Sequence, residues 1–352
     1  MLARVLYLTF FNRYFRTIDI TEESMPGPKG NYTLNRLKRI WDDKPIAAHL
    51  YVTDNCNLEC DYCTEYDHSA PHPPLDDIKK WITKIRDLGA LRIGLQGGEP
   101  LMHPDIVEIV RYCAREMGLL TTVATNGFLL SEEMAFGLKD AGLSAIYLSV
   151  DRMTPIPSTR KSLKTIIPKM KYLDAAGLRY IVSGVLFGES VAQSEQVLEY
   201  CLEHKVPVQA RIVHTGTDGT FSVSPGEKAE LQRVLDFQHE KKRSGETIHV
   251  ASAIIDYQRK LIENEPVDWT CLAGYKYFFV SAKGEFWQCS MNRAPNTPLM
   301  DVTPEMLKTY NRKKSCQKGC GVYCTVGESL FNNHPLRFLR PEIRDRIKAR
   351  FS

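Results

Sequence analysis

The sequence lacks any apolar run long enough to cross a bilayer and any large excess of charge of one sign. Its early apolar stretch, residues 5–11, is short, is followed by Arg13 and has no small-residue cleavage site, so neither a membrane span nor a signal peptide is predicted. With 46 basic and 42 acidic residues the net charge is +4, which gives no nucleic-acid footprint. We therefore expect a cytoplasmic protein without a nucleic-acid partner.

Basic residues gather at both ends of the chain. Arg4, Arg13 and Arg16 lie among aromatic residues, and residues 337–350 hold five arginines and a lysine. The simpler interpretation is two ordinary amphipathic helices, one docked on the main domain and one exposed to solvent. Peripheral contact with a membrane, which would make the protein membrane-associated, is the alternative.

The ten cysteines fall into two groups, and a chain of 352 residues needs no covalent staples. Metal or cluster ligation is the better explanation for both groups. Cys113 and Cys201 stand alone within apolar helical stripes and are predicted to be core residues. The first group is Cys56, Cys60 and Cys63, and the second is Cys271, Cys289, Cys316, Cys320 and Cys324.

Six β-rich apolar runs alternate with amphipathic helices, which predicts parallel strands with right-handed crossovers. The runs are 47–53, 91–95, 120–124, 145–150, 180–187 and 206–213. We therefore expect an α/β protein, a partial (β/α)6 TIM-like barrel with a small cysteine-rich C-terminal domain. The expected divisions are an amphipathic extension at 1–45, the barrel at 46–220, a helical linker at 221–268, the cysteine-rich domain at 269–330 and a basic tail at 331–352.

The first strand leads directly into TDNCNLECDYC, which places Cys56, Cys60 and Cys63 on one loop. A closed structural zinc site needs four ligands, whereas three cysteines on an iron-sulfur cube leave one iron open. The loop lies at the carboxyl end of a barrel strand, where active sites of such folds are found. This pattern indicates catalysis.

Polar residues and glycines follow the next strands in the same way. The second strand ends in Gly97, Gly98, Glu99 and Pro100, the third is followed by Asn126, and Ser149 and Asp151 flank the end of the fourth. A glycine pair alone would be only a turn, and polar groups at strand ends also serve as helix caps. Asp151 and His214 are the candidate catalytic residues, although a lone histidine near a loop is usually a surface residue.

The second cysteine group surrounds a predicted β-hairpin. The segments YKYFFV and EFWQC flank a Lys-Gly turn, which brings Cys271 close to Cys289. The segment SCQKGCGVYC then adds Cys316, Cys320 and Cys324. A zinc ribbon is the alternative structure for this module.

The cluster loop and the GGEP segment resemble those of the radical S-adenosylmethionine (SAM) superfamily. The resemblance implies a 4Fe-4S cluster on Cys56, Cys60 and Cys63 whose fourth iron binds SAM. It also implies cofactor-binding roles for Tyr62 near the adenine, for the GGEP segment at the methionyl amino group, and for strand-end polar residues. The segment is Gly97, Gly98, Glu99 and Pro100, and the strand-end residues are Asn126, Ser149 and Asp151.

The cysteine-rich tail resembles the SPASM/twitch extension of the same superfamily. That resemblance implies one auxiliary 4Fe-4S cluster held by Cys271, Cys289 and two of Cys316, Cys320 and Cys324. The spacing does not decide which two.

The resemblance implies reductive cleavage of SAM to a 5'-deoxyadenosyl radical that abstracts a substrate hydrogen. The outcome would be oxidation, epimerisation or bond formation on a small molecule or a lipid-linked substrate, with flavodoxin or ferredoxin as electron donor. A peptide-modifying or protein-modifying enzyme is the alternative. A non-enzymatic iron-sulfur or zinc protein that transfers electrons or binds a partner is the rival from another class.

Overall fold

The structure is a computed structural model that describes residues 32–188, 191–212, 225–336 and 338. Most of the predicted N-terminal extension and of the basic tail, as well as His214, therefore lie outside the described residues. The predicted helical linker contains two helices in its described part, 225–243 and 252–262.

All six predicted strands form, and they pair in parallel in chain order. Their bounds agree with the apolar runs to within a few residues. The strands are β1 Ala47–Thr53, β2 Arg92–Gly97, β3 Leu120–Thr125, β4 Ala145–Ser149, β5 Tyr180–Leu186 and β6 Val208–Ile212.

Helices cover the outer face of this sheet, as the alternating pattern predicts. The helix after β1 shows the reason: Ile78, Ile82 and Ile85 recur at helical spacing on one buried stripe, after Pro74. The helices are α1 Tyr32–Lys38, α2 Leu75–Asp87, α3 Ile106–Arg111, α4 Glu132–Asp140, α5 Leu163–Ala175, α6 Val191–Glu203, α7 Pro225–Arg243, α8 Ser252–Ile262, α9 Pro304–Thr309 and α10 Tyr323–Asn333.

The predicted hairpin continues the barrel sheet. Strand β7 (Tyr277–Val280) pairs in parallel with β1, and β8 (Glu285–Trp287) and β9 (Pro295–Pro298) follow as antiparallel strands. The nine strands have the order β6-β5-β4-β3-β2-β1-β7-β8-β9. Among the described residues β6 and β9 are the two ends of this order and do not pair with each other, so the barrel is partial.

Helix α10 packs its inner face into the barrel. Glu328 on α10 is 4% exposed and accepts from Arg36 of α1 and from Arg92 of β2, each at 3.2 Å. A buried carboxylate needs such partners, because desolvation of an unpaired charge is costly. The C-terminal helix is thereby joined to the beginning of the described chain and to the barrel wall.

The core is continuous from the barrel to the hairpin and α10. Cys113 and Cys201 are fully buried within it, as predicted. Among the described residues, no helix has the length and apolar character needed to cross a membrane.

Candidate active site

A cavity of about 280 Å³ lies at the carboxyl ends of the strands. Residues predicted from four separate strand ends meet in its wall, because parallel strands end at the same edge of a sheet. Those residues are Cys56, Cys60, Cys63, Gly97, Gly98, Glu99, Asn126 and Ser149. The convergence that the sequence predicts is present in the structure.

The cluster loop holds its three thiols in different environments. Cys60 is buried and its Sγ lies 3.8 Å from Thr159 Oγ1, whereas Cys56 and Cys63 are partly accessible. The amide of Cys63 donates to the carbonyl of Cys60 at 2.9 Å, and the amide of Leu58 donates to Cys56 Sγ at 3.4 Å. Burial raises the pKa of Cys56 and of Cys63 above the usual value. Nearby positive charge or a bound metal would favour their thiolate forms.

Gly97 and Gly98 allow the end of β2 to lie against the cluster loop. A Cβ on Gly97 would be 2.0 Å from the carbonyl oxygen of Thr53, and one on Gly98 would be 2.2 Å from that of Asn55. Gly97 also has φ +142°, a conformation that other residues rarely adopt. The close approach that these glycines permit is therefore to the backbone that carries the cysteines.

Glu99 is buried and uses both carboxylate oxygens within the protein. Oε1 accepts from Thr125 Oγ1 at 2.6 Å and from the amide of Leu101 at 3.0 Å, and Oε2 accepts from the amide of Asn126 at 2.7 Å. Burial raises its pKa despite these hydrogen bonds. Glu99 fixes the relative positions of the β2 and β3 ends, and the buried Pro100 begins the short 3-10 turn that Glu99 caps.

The Asn126 side chain connects the third strand end to the cluster loop. Its Nδ2 donates to Asn57 Oδ1 at 2.8 Å, and its Oδ1 accepts from the amide of Phe128 at 3.0 Å. Asn126 thus lines the cavity and holds one of its walls in place.

Asp151 lies beside the cavity and does not line it. It is 2% exposed, and its Oδ2 accepts from Tyr62 Oη at 2.7 Å and from Thr159 Oγ1 at 3.0 Å. Burial raises the pKa of Asp151 above that of an ordinary aspartate, although Lys161 opposes this. In this arrangement Asp151 orients Tyr62, which is predicted to contact the adenine and whose ring lies 4.4 Å from that of Phe187.

Lys161 is a cavity residue that sequence reasoning missed. Its ammonium donates to Tyr62 Oη at 3.0 Å and lies in the cavity wall with the three cysteines. Desolvation lowers the pKa of Lys161, but its interactions with Tyr62 and Asp151 outweigh this and raise the pKa, so Lys161 is a cation. Only its position shortly after the fourth strand end could have identified it.

The barrel wall beneath the cavity contains a neutral histidine. His49 Nδ1 lies 2.5 Å from Oε1 of Gln96, a residue that lines the cavity. Burial, supported by Arg92, lowers the pKa of His49 to about 3. The ring is therefore uncharged at neutral pH, and Nδ1 carries the proton that it donates to Gln96.

The five tail cysteines come from three separate segments of the chain. Cys271 precedes β7, Cys289 follows β8, and Cys316 and Cys320 lie in and directly after the 3-10 turn Ser315–Gly319. Cys324, in the first turn of α10, lines the barrel cavity together with the cluster-loop thiols.

Contacts connect the tail segments outside the cavity. Lys314 Nζ donates to the carbonyl of Cys271 at 2.7 Å, and the amide of Cys271 donates to Gln317 Oε1 at 3.4 Å. Within the described ranges, no three His, Cys, Asp or Glu side chains are grouped tightly enough to hold a metal ion. A 4Fe-4S cluster requires wider spacing than a zinc ion, because each thiolate binds a different iron.

Comparison with known proteins is consistent with this geometry. Residues 50–213 match the sequence profile of the radical SAM superfamily. The chain is 27% identical over 167 residues to a PqqA peptide cyclase of Bradyrhizobium diazoefficiens, covering 45% of this chain and 44% of that protein. It is 22% identical over 306 residues to an AdoMet-dependent heme synthase of Nitratidesulfovibrio vulgaris, covering 77% and 82%. The chain thus spans less than half the length of the peptide cyclase.

A similar fold occurs in Streptococcus suis SuiB bound to its precursor peptide SuiA. The TM-score is 0.59 at 16% identity, over 81% of this chain and 69% of SuiB. At this identity the likeness concerns the fold, and it confirms the partial barrel.

Proposed function

Because the chain belongs to the radical SAM superfamily, we propose that its barrel mouth holds a 4Fe-4S cluster and SAM and abstracts a hydrogen atom from a substrate. One observation carries the proposal: three thiols, the first three residues of the GGEP turn and the polar ends of β3 and β4 line a single cavity. When bound, the two cofactors supply one-electron cleavage of SAM to methionine and a 5'-deoxyadenosyl radical.

The side chains of the cavity fit these cofactors. Cys56, Cys60 and Cys63 supply three soft ligands, one fewer than a closed site needs. Lys161 places a partly buried positive charge in the same cavity wall, which suits an anionic cluster and a carboxylate. A neutral or apolar occupant would leave this charge uncompensated.

The protein's own residues position the reactants and exclude water. Glu99 and Asn126 hold two cavity walls through the contacts described above, and the glycine pair keeps the end of β2 against the cysteine loop. We propose that the turn of Gly97, Gly98, Glu99 and Pro100 binds the amino group of SAM, that Ser149 faces its ribose, and that Tyr62, oriented by Asp151, contacts the adenine. A fixed, enclosed site protects a radical from side reactions.

We further propose a twitch-like auxiliary 4Fe-4S cluster held by Cys271, Cys289, Cys316 and Cys320. Its support is the position of Cys324, which lines the barrel cavity and leaves four cysteines for the tail site. The contacts of Lys314 and Gln317 bring the Cys316 turn to the backbone of Cys271. Four protein ligands would close this cluster to exogenous ligands.

A small molecule or a lipid-linked compound is the proposed substrate, in keeping with the long alignment to a heme synthase. A peptide is the second candidate, because SuiB has a similar fold and was solved with its precursor peptide. The proposed electron donor is a flavodoxin or ferredoxin.

Anaerobic reconstitution tests the function. The loaded protein is incubated with SAM and dithionite, and 5'-deoxyadenosine is measured by mass spectrometry. Formation of this product in the wild type and its loss in Cys63→Ala would support the proposal. A protein fully loaded with iron that yields none would contradict it and favour an electron-transfer role.

A further inference from the structure

Lys161 is a partly buried cation that forms no ion pair with a carboxylate among the described residues. Its ammonium donates to Tyr62 Oη at 3.0 Å, and that hydroxyl donates to Asp151 Oδ2 at 2.7 Å. The phenol thus stands between ammonium and carboxylate. A charge that is solvated by a neutral hydroxyl in a partly buried site retains much of its field, because little water screens it.

Hydrogen bonds of the Lys161 backbone hold the loop that carries this residue in place. The amide of Lys161 donates to Thr159 Oγ1 at 3.3 Å, and its carbonyl accepts from the amide of Asp151 at 3.0 Å. The same segment contacts the cluster loop, where the amide of Asp61 donates to the carbonyl of Ser158 at 3.0 Å. The distance between the cation and the cysteine loop is therefore set by backbone contacts.

The field of Lys161 reaches the cluster-loop thiols. Lys161 shares the wall of the cavity with Cys56, Cys60 and Cys63, and among the described residues that line this cavity it is the one basic side chain. Asp151 lies on the far side of the Tyr62 hydroxyl and outside the cavity lining.

We propose that Lys161 raises the reduction potential of the 4Fe-4S cluster on Cys56, Cys60 and Cys63. The inference rests on the proposed function. Reduction moves one electron from an external donor such as a flavodoxin to the cluster, and no bond forms or breaks. A fixed positive charge stabilises the more negative, reduced cluster more than the oxidised one. Lys161 is thus a tuning residue that eases the electron transfer preceding the chemistry.

The test is a redox titration of the reconstituted full chain without SAM, followed by electron paramagnetic resonance. The SAM-binding cluster is identified as the signal that changes when SAM is then added. Lys161→Gln removes the charge and keeps a donor for Tyr62. At a fixed potential, we expect the ratio of reduced to oxidised cluster to fall about tenfold, the order expected for one partly buried charge and equal to about 59 mV for one electron.

Four further variants define the result. Lys161→Arg keeps the charge and should stay near the wild-type ratio, and Lys164→Met removes an exposed lysine three residues away and should leave the ratio unchanged. Lys161→Met provides a second neutral side chain should the glutamine variant not hold the cluster. Asp151→Asn removes the opposite charge and should shift the ratio in the opposite direction.

The outcomes separate this inference from the proposed function. A SAM-responsive cluster whose potential is the same with glutamine, methionine and lysine at 161 overturns the inference alone. A shift in one direction for both Lys161→Gln and Asp151→Asn also overturns it, because it would indicate general loosening of the site. A wild-type protein without any SAM-responsive cluster overturns the proposed function together with the inference.

Discussion

The two groups of cysteines differ in how the chain brings them together. Cys56, Cys60 and Cys63 lie on one loop after one strand, and two of them are partly accessible to the cavity. The tail cysteines come from three separate segments, and Cys271, Cys289 and Cys320 are buried. Three ligands on one loop can leave one coordination position of a cluster open. Ligands that come from distant segments are brought together only by the surrounding fold. The first arrangement suits catalysis and the second a closed centre.

Removal of one loop thiol should have the largest effect. We expect Cys60→Ala to reduce 5'-deoxyadenosine formation more than about a hundredfold, because a lost metal ligand costs at least as much as a lost supporting contact. The proposed tail cluster should remain. A 5'-deoxyadenosine assay measures the loss of activity, and iron and sulfide analysis measures the clusters that remain. Cys113→Ala is the control for loss of a buried thiol away from either site. Loss of all iron from Cys60→Ala would show that the two sites are not independent.

Within the tail, Cys320 and Cys324 should behave differently. We expect Cys320→Ala to lose about half of the bound iron, roughly four of eight atoms for two 4Fe-4S clusters. Cys324→Ala should retain all of it, because that thiol faces the barrel cavity. Iron analysis and Mössbauer spectroscopy measure the difference. The reverse result would place Cys324 among the auxiliary ligands.

The packing of β2 on the cluster loop can be tested by comparing alanine substitutions at two glycines, one in this contact and one away from it. Gly97→Ala should destabilise the fold by about 2–3 kcal/mol, because the methyl group meets the Thr53 carbonyl and φ is +142°. Gly137→Ala, on α4, is the matched control: its added Cβ would be at ordinary distance, 3.4 Å, from Val107. It should be neutral or stabilising by up to about 1 kcal/mol. Urea unfolding of the apoprotein distinguishes them, and equal effects would contradict the packing argument.

Acid sensitivity should arise partly in the barrel wall, at His49. Its pKa of about 3 in the folded protein is below the ordinary value of 6.5. The unfolded chain therefore binds a proton first as the pH falls, and stability is lost from about pH 6.5 downward. His49→Gln should remove about 2 kcal/mol of the stability loss between pH 7 and pH 5. Denaturant midpoints at the two pH values measure it, and an unchanged pH dependence would refute the assignment.

Features encoded within one strand or loop were predictable from the sequence. The six parallel strands, the cysteine loop and the meeting of Gly98, Glu99 and Ser149 at one cavity follow from periodicity and from the geometry of parallel sheets. Lys161 was missed because it lies in an irregular segment after β4, where no periodicity marks which side chains turn inward. The position of Cys324 in the cavity wall was also not predictable, since it depends on how α10 packs against the barrel.

The pairing of β1 with β7 has a consequence for the synthesis of the protein. Ala47 pairs with Tyr277, so one edge of β1 finds its neighbour only after the intervening chain has been made. At about 5–20 residues per second, translation leaves that edge without its partner for roughly 10–45 s. An unpaired, apolar strand edge is a site for aggregation, so the nascent barrel is exposed to intermolecular pairing at β1 until β7 has been made.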